Sequence, residues 1–225
     1  SLEEDQLVTT MGSKDAIAKF PMAFLNPGDV ALVSRPGYPT YNIGTTFASA
    51  VSYPMPLLAG NDVLPDLGAI PEHIRRLAKV MWINYPNNPT TATATLDFFE
   101  EVVEFGRCNE ILIAHDSAYS ENCYDGYQAP SILQVDGADD VAVEFFSLSK
   151  AFSMTGWRTA FVAGNRSAVA ALQTVKNNID NGILRAIQFA AARALDNSEQ
   201  IVPKVNEVYK RRRDMVVGAL NEHGW

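Results

Sequence analysis

The chain has 225 residues, 47% hydrophobic and 20% charged, an ordinary globular balance and length enough to bury a core without staples. A formal net charge of −8 excludes a general nucleic-acid binder, which needs surplus Lys and Arg, but leaves room for a local basic pocket for one small phosphate. The two cysteines, Cys108 and Cys123, lack metal-ligand spacing and point to a reducing, cytoplasmic setting, and no apolar run is long enough to span a membrane.

In chain order, short apolar runs alternate with longer amphipathic ones. Gly12-Ser13-Lys14 opens a predicted helix over residues 13–25. A strand follows at 30–33, a helix at 40–48, a strand at 79–84 and a helix at 96–108. Strands at 111–115, 143–147 and 160–163 come next, then helices at 167–178, 184–195 and 199–221. This alternation predicts an α/β fold with a mostly parallel sheet sandwiched by helices. The strand runs are nearly all apolar, as burial on both faces requires. In such sheets ligands gather beyond the carboxyl ends of the strands, and polar residues cluster at those ends here.

Lys150 follows the apolar run 143–146 within Ser147-Leu148-Ser149-Lys150. A lysine amine is a nucleophile when burial or a neighbouring cation lowers its pKa. Eight residues on, Arg158 offers a donor fork suited to phosphate, and the hydroxyls of Ser147 and Ser149 add donors nearby. Ser13 and Lys14 lie at a helix N-terminus, where free amides favour an anion. Asp116 follows the strand predicted at 111–115, and a carboxylate at that depth needs a partner such as a protonated ring nitrogen. Asn88, in the turn Tyr85-Pro86-Asn87-Asn88-Pro89-Thr90, and Tyr119 are donors for a phenolic oxygen, and Tyr38 is a ring on which another could stack. His115 neighbours Asp116, but side chains alternate along a strand, so it is expected to point away as a structural histidine. Singly, each has a plainer reading: Lys150 on the surface, Arg158 in a solvent-facing ion pair, Ser13 and Asp116 as helix caps, Asn88 as a turn former, the tyrosines as packing.

Together and in this order, these motifs resemble the class I and II aminotransferases of fold type I, which depend on pyridoxal 5′-phosphate (PLP). The likeness is closest to the LL-diaminopimelate, aspartate and alanine aminotransferase branch. It runs from Gly12-Ser13-Lys14 through Asn26-Pro27-Gly28-Asp29, Pro36-Gly37-Tyr38-Pro39 and the Asn88 turn to Asp116-x-x-Tyr119, Ser147-x-Ser149-Lys150 and Gly156-Trp157-Arg158. The resemblance implies that Lys150 carries PLP as a Schiff base and moves the proton between substrate Cα and cofactor C4′. It implies Asp116 as partner of the ring nitrogen, Asn88 and Tyr119 as donors to the phenolic oxygen, and Tyr38 as the stacking ring. Ser13, Lys14, Ser147, Ser149 and Arg158 are then the phosphate shell.

Two departures carry expectations of their own. Thr91 stands where the family usually has glycine, so a rearranged loop around Asn88 is expected. Family members are also longer. Residues 1–198 are expected to form the PLP-binding large domain, and 199–225 a long helix toward a C-terminal small domain that is largely absent. The arginine that grips the substrate carboxylate lies with it. On this reading the short chain, whose substrates are amino acids and 2-oxo acids, holds PLP weakly and transaminates poorly or not at all. It forms a homodimer or higher oligomer over uncovered apolar surface and has neither nucleic-acid nor membrane partners. Two other readings stay open: a PLP-dependent lyase or synthase on the same scaffold, and a non-catalytic truncated remnant acting as an assembly module.

Overall fold

The computed structural model describes residues 2–225. Seven strands form one sheet: β1 (Leu7–Thr10), β2 (Val30–Arg35), β3 (Val51–Pro56), β4 (Ala78–Asn84), β5 (Leu112–Asp116), β6 (Ala142–Ser147) and β7 (Ala160–Gly164). Their order is β1-β7-β6-β5-β4-β2-β3. β6, β5, β4, β2 and β3 pair in parallel, and β7 is antiparallel to both β6 and β1. The helices are α1 (Ser13–Phe24), α2 (Thr40–Phe47), α3 (Glu72–Leu77), α4 (Leu96–Asn109), α5 (Ala138–Val141), α6 (Leu148–Ala151), α7 (Arg166–Ile179), α8 (Arg185–Asp196) and α9 (Ser198–Glu222).

Strand periodicity of two explains the layering. On β2, Val30 and Leu32 join a core with Phe98, Phe99 and Val102 of α4. Ala31 and Val33 join the opposite core with Ile17 and Phe20 of α1 and Leu172 of α7. The sheet is therefore covered on both faces. Local signals set the helix ends: Thr95 Oγ1 accepts from Phe98 N at 3.2 Å to cap α4, and Asn165 caps α7 through Ala168 N at 2.8 Å.

Every strand and helix predicted above is found within one or two residues of its expected bounds. β1, β3, α3, α5 and α6 were not foreseen. β1 is a four-residue edge strand, and β3 carries Pro54 and Pro56, which suit the sheet edge that it occupies. α6 is a single turn, so Lys150 sits just past β6 on a short helix rather than on the strand itself.

Thr91 has φ +62, the left-handed conformation that glycine adopts cheaply. Its N–H donates to Asn87 O at 2.8 Å, and Asn87 N donates to Ala92 O at 2.8 Å. The turn thus closes on itself with threonine in the glycine-favouring conformation, and Thr91 bears the strain. Thr91→Gly should raise stability by roughly 0.5–1 kcal/mol, the relief of left-handed strain less the chain entropy of glycine. Urea unfolding with an unchanged m-value would read it.

Candidate active site

The site lies at the carboxyl ends of three neighbouring parallel strands. Asn84 ends β4, Asp116 ends β5 and Ser147 ends β6, and Asn84 pairs with Asp116 across the ladder. α1 points its N-terminus at the same edge. Gly12 (φ +85) is the N-cap residue and Ser13 the first helical one, so Ser13 does not play the simple capping role. No side-chain cap closes α1, which leaves its first-turn amides for an anion.

All ten residues singled out from sequence (Ser13, Lys14, Tyr38, Asn88, Asp116, Tyr119, Ser147, Ser149, Lys150 and Arg158) line one cavity of about 340 Å³. Asn84, Ala118 and Thr155 complete its wall. Lys14, Lys150 and Arg158 face a single carboxylate, Asp116, so this pocket of an acidic protein is locally cationic. Lys150 is half-buried, with Nζ 5.8 Å from the Tyr119 ring centroid. Arg158 reaches Met11 O at 3.5 Å. A Cβ on Gly12 would fall 2.3 Å from an Arg158 guanidinium nitrogen and push that side chain aside, and the φ of +85 at Gly12 independently favours glycine. Ser147 accepts from Ser149 N at 3.2 Å and thereby caps the turn that carries Lys150.

Asp116 is 5% exposed. Its Oδ2 accepts from Tyr41 Oη at 2.7 Å and its Oδ1 from Ala118 N at 3.2 Å. Burial raises its pKa, and those two hydrogen bonds offset this only in part. The carboxylate thus lacks a full counter-charge. Tyr41 is fully buried, stacks on Trp82 with centroids 4.9 Å apart, and is pushed well above its ordinary pKa by burial and by Asp116. Burial and the charge of Asp116 also raise Tyr119. Both phenols are therefore neutral donors near neutral pH. Asn84 donates to Asp116 O at 2.7 Å and accepts from Asn88 N at 2.8 Å, which ties the turn to the strand edge.

Tyr41 and Asn84 were not singled out beforehand. Tyr41 lies three residues after Tyr38 across the start of a helix, a spacing that brings the rings together at 5.8 Å. From sequence, Asn84 is only the last residue of the strand predicted over 79–84. His115 does point away from Asp116: its ring packs on Phe99 at 4.8 Å on the other face of the sheet. Among the described residues no group of three or more His, Cys, Asp or Glu is arranged to hold a metal, and no helix is long and apolar enough to cross a membrane.

A mostly parallel sheet clad on both faces, with a cationic pocket beyond its carboxyl edge, defines the class: this is the fold of the PLP-dependent aminotransferases. The chain belongs to the family described as aminotransferase class I and II, whose model matches residues 1–225. It is 50% identical over 220 residues to the LL-diaminopimelate aminotransferase of Moorella thermoacetica, covering 98% of this chain and 56% of that protein. Apo BacF of Bacillus subtilis superposes with a TM-score of 0.96 at 34% identity, over 100% of this chain and 57% of that one. A probable N-succinyldiaminopimelate aminotransferase of Thermus thermophilus gives 0.90 at 34% identity, over 96% and 58%. The chain thus spans a little over half the length of the relatives it matches.

Members of this family use PLP. The donor set of the cavity suits that group: a half-buried lysine, a buried carboxylate short of positive charge, neutral phenols, and an uncapped helix start beside Arg158 in the space Gly12 leaves.

Proposed function

We propose that this chain supplies the cofactor-binding part of an aminotransferase that moves an amino group from LL-diaminopimelate to a 2-oxo acid. The reading rests on one observation above others: Lys150, Asp116 and the group Ser13, Ser149 and Arg158 all open onto the same cavity. The substrate follows from the printed name of relatives about half identical to the chain.

Bound PLP would supply a cationic ring that delocalises the electrons left at the substrate Cα. The residues would act around it. Lys150 would hold the aldehyde carbon and, once the substrate amine has displaced it, would take and return the proton at Cα. Asp116 would keep the ring nitrogen in its charged state, with Tyr41 orienting that carboxylate. Asn88 and Tyr119 would donate to the phenolic oxygen, and Tyr38 would offer its ring for stacking. Ser13, Lys14, Ser147, Ser149, Arg158 and the α1 amides would hold the phosphate. Residues 1–198 serve as the cofactor domain, and 199–225 lead toward the remainder of the enzyme. Exposed apolar residues at α8 and α9, among them Leu184 (69%), Phe189 (74%) and Met215 (69%), support assembly into a dimer or larger oligomer. The free thiols of Cys108 and Cys123 agree with a cytoplasmic setting.

The test is a titration of the protein with PLP, followed by LL-diaminopimelate. A saturable visible absorbance band that the amino acid then converts to the amine form of the cofactor is expected. A folded protein that develops no band defeats the proposal. A band with conversion by another amino acid alone defeats the substrate assignment.

A further inference from the structure

His115 and Glu144 are buried titratable groups that the proposed chemistry does not use. His115 is fully buried, on β5 beside Asp116 but on the opposite face of the sheet. Its Nδ1 lies 3.1 Å from Glu144 Oε2 on β6, and its Nε2 lies 3.1 Å from the backbone carbonyl of Tyr85. Glu144 Oε2 also accepts from Ser131 Oγ at 2.8 Å and Ile132 N at 3.1 Å. Burial alone would raise the Glu144 pKa, but these bonds and the neighbouring imidazole hold it below the ordinary carboxylate range. A carbonyl and an ionised carboxylate only accept, so each ring nitrogen of His115 must donate, as only the imidazolium does. The charged groups around the ring are Glu144 and the adjacent Asp116; the other packed surface is the Phe99 ring.

The position of this pair matters. Tyr85 opens the turn that carries Asn88 and follows Asn84, whose side chain binds the Asp116 carbonyl and the Asn88 amide. The His115 ring thus pins the same turn from behind. Its charge is one residue from Asp116 and favours the ionised carboxylate.

We propose that His115 and Glu144 form a buried ion pair on the rear of the sheet that positions the cofactor site, clamping the Asn84–Asn88 turn through the Tyr85 carbonyl and setting a cation behind Asp116. Both are positioning residues, and the inference rests on the functional reading above.

Two measurements test it. Long-range ¹H–¹⁵N spectra of the cofactor-free protein at pH 7 should show both His115 ring nitrogens protonated, with one proton lost in Glu144→Gln. A single neutral tautomer in wild type overturns the pair. With PLP added, Glu144→Gln should bind about tenfold more weakly, equivalent to about 1.4 kcal/mol. The pH midpoint of the bound cofactor's absorbance change should also move, by about one unit. A purely structural pair would lower the melting temperature and leave that midpoint in place. A wild-type band with unchanged affinity and midpoint in Glu144→Gln overturns this inference alone. No wild-type band at all defeats the functional reading and this inference with it.

Discussion

Lys150→Ala should abolish the visible band of bound PLP and slow the amino-transfer half-reaction by about 10⁴-fold, while leaving the melting temperature nearly unchanged. The size follows from what is lost, both the nucleophile that holds the cofactor and the base that moves the Cα proton. The structure gives Lys150 no competing structural task. It is half-buried at a cavity wall, beside the Tyr119 ring, in a one-turn helix whose own bonds come from Ser147, Leu148 and Thr155. Lys150→Arg should fail equally, since a guanidinium keeps the charge but cannot lose its proton. Stopped-flow absorbance with LL-diaminopimelate would separate these variants from one that merely binds PLP weakly, because adding more cofactor restores the latter.

The second large effect is on stability. Asp180→Asn should cost about 3–5 kcal/mol, the usual consequence of stranding buried charge. Asp180 follows α7 and receives Lys19 of α1 on one oxygen, and Lys176 at 3.0 Å with Gly182 N at 2.7 Å on the other. The side chains of Lys19, Lys176 and Asp180 are only 10%, 6% and 8% exposed. Lys19 also meets Asp15 at 2.7 Å, one residue beyond Lys14, so the network braces the first turns of α1 where Ser13 faces the cavity. Burial would raise the Asp180 pKa, but the two ammonium groups and the Gly182 amide outweigh it and hold the carboxyl at about 2. The sign follows from linkage: a pKa lowered on folding stabilises above the unfolded value and stops doing so as pH falls through the folded one. Asp180 should therefore contribute about 2 kcal/mol above pH ~4, lost progressively between pH ~4 and ~2. Wild type should lose stability faster than Asp180→Asn over that interval, as chemical denaturation at stepped pH would read. Parallel curves would exclude Asp180 as the group responsible.

Much of this molecule is written locally. The strands β2, β4, β5 and β6 are apolar over most of their length because both faces are buried, and burial on two faces leaves a plain signal. The caps Thr95 and Asn165 mark the helix starts as their side chains suggest. The site was legible because the fold collects strand ends on one edge, so residues far apart in sequence but each just past a strand converge without any knowledge of the loops. What was hidden depends on tertiary partners. β1 and β3 are edge strands, stabilised by the neighbours they pair with rather than by their own pattern. Tyr41 reads as one more aromatic until Asp116 is found 2.7 Å from its hydroxyl. The Lys19–Asp180 bond joins residues 161 apart, and nothing in either segment announces the other. Thr91 is a further case: a β-branched residue carries no local signal for the left-handed conformation, and its φ of +62 comes from the way the turn closes on Asn87.

The central claim is that Lys150, rather than any other lysine, holds the cofactor, and Lys14 on the same cavity wall is the natural competitor. Borohydride reduction of the PLP-loaded protein followed by peptide mass mapping tests this directly. A single pyridoxyl label on Lys150 is the predicted result. A label on Lys14 or elsewhere, or none on folded protein, would contradict it.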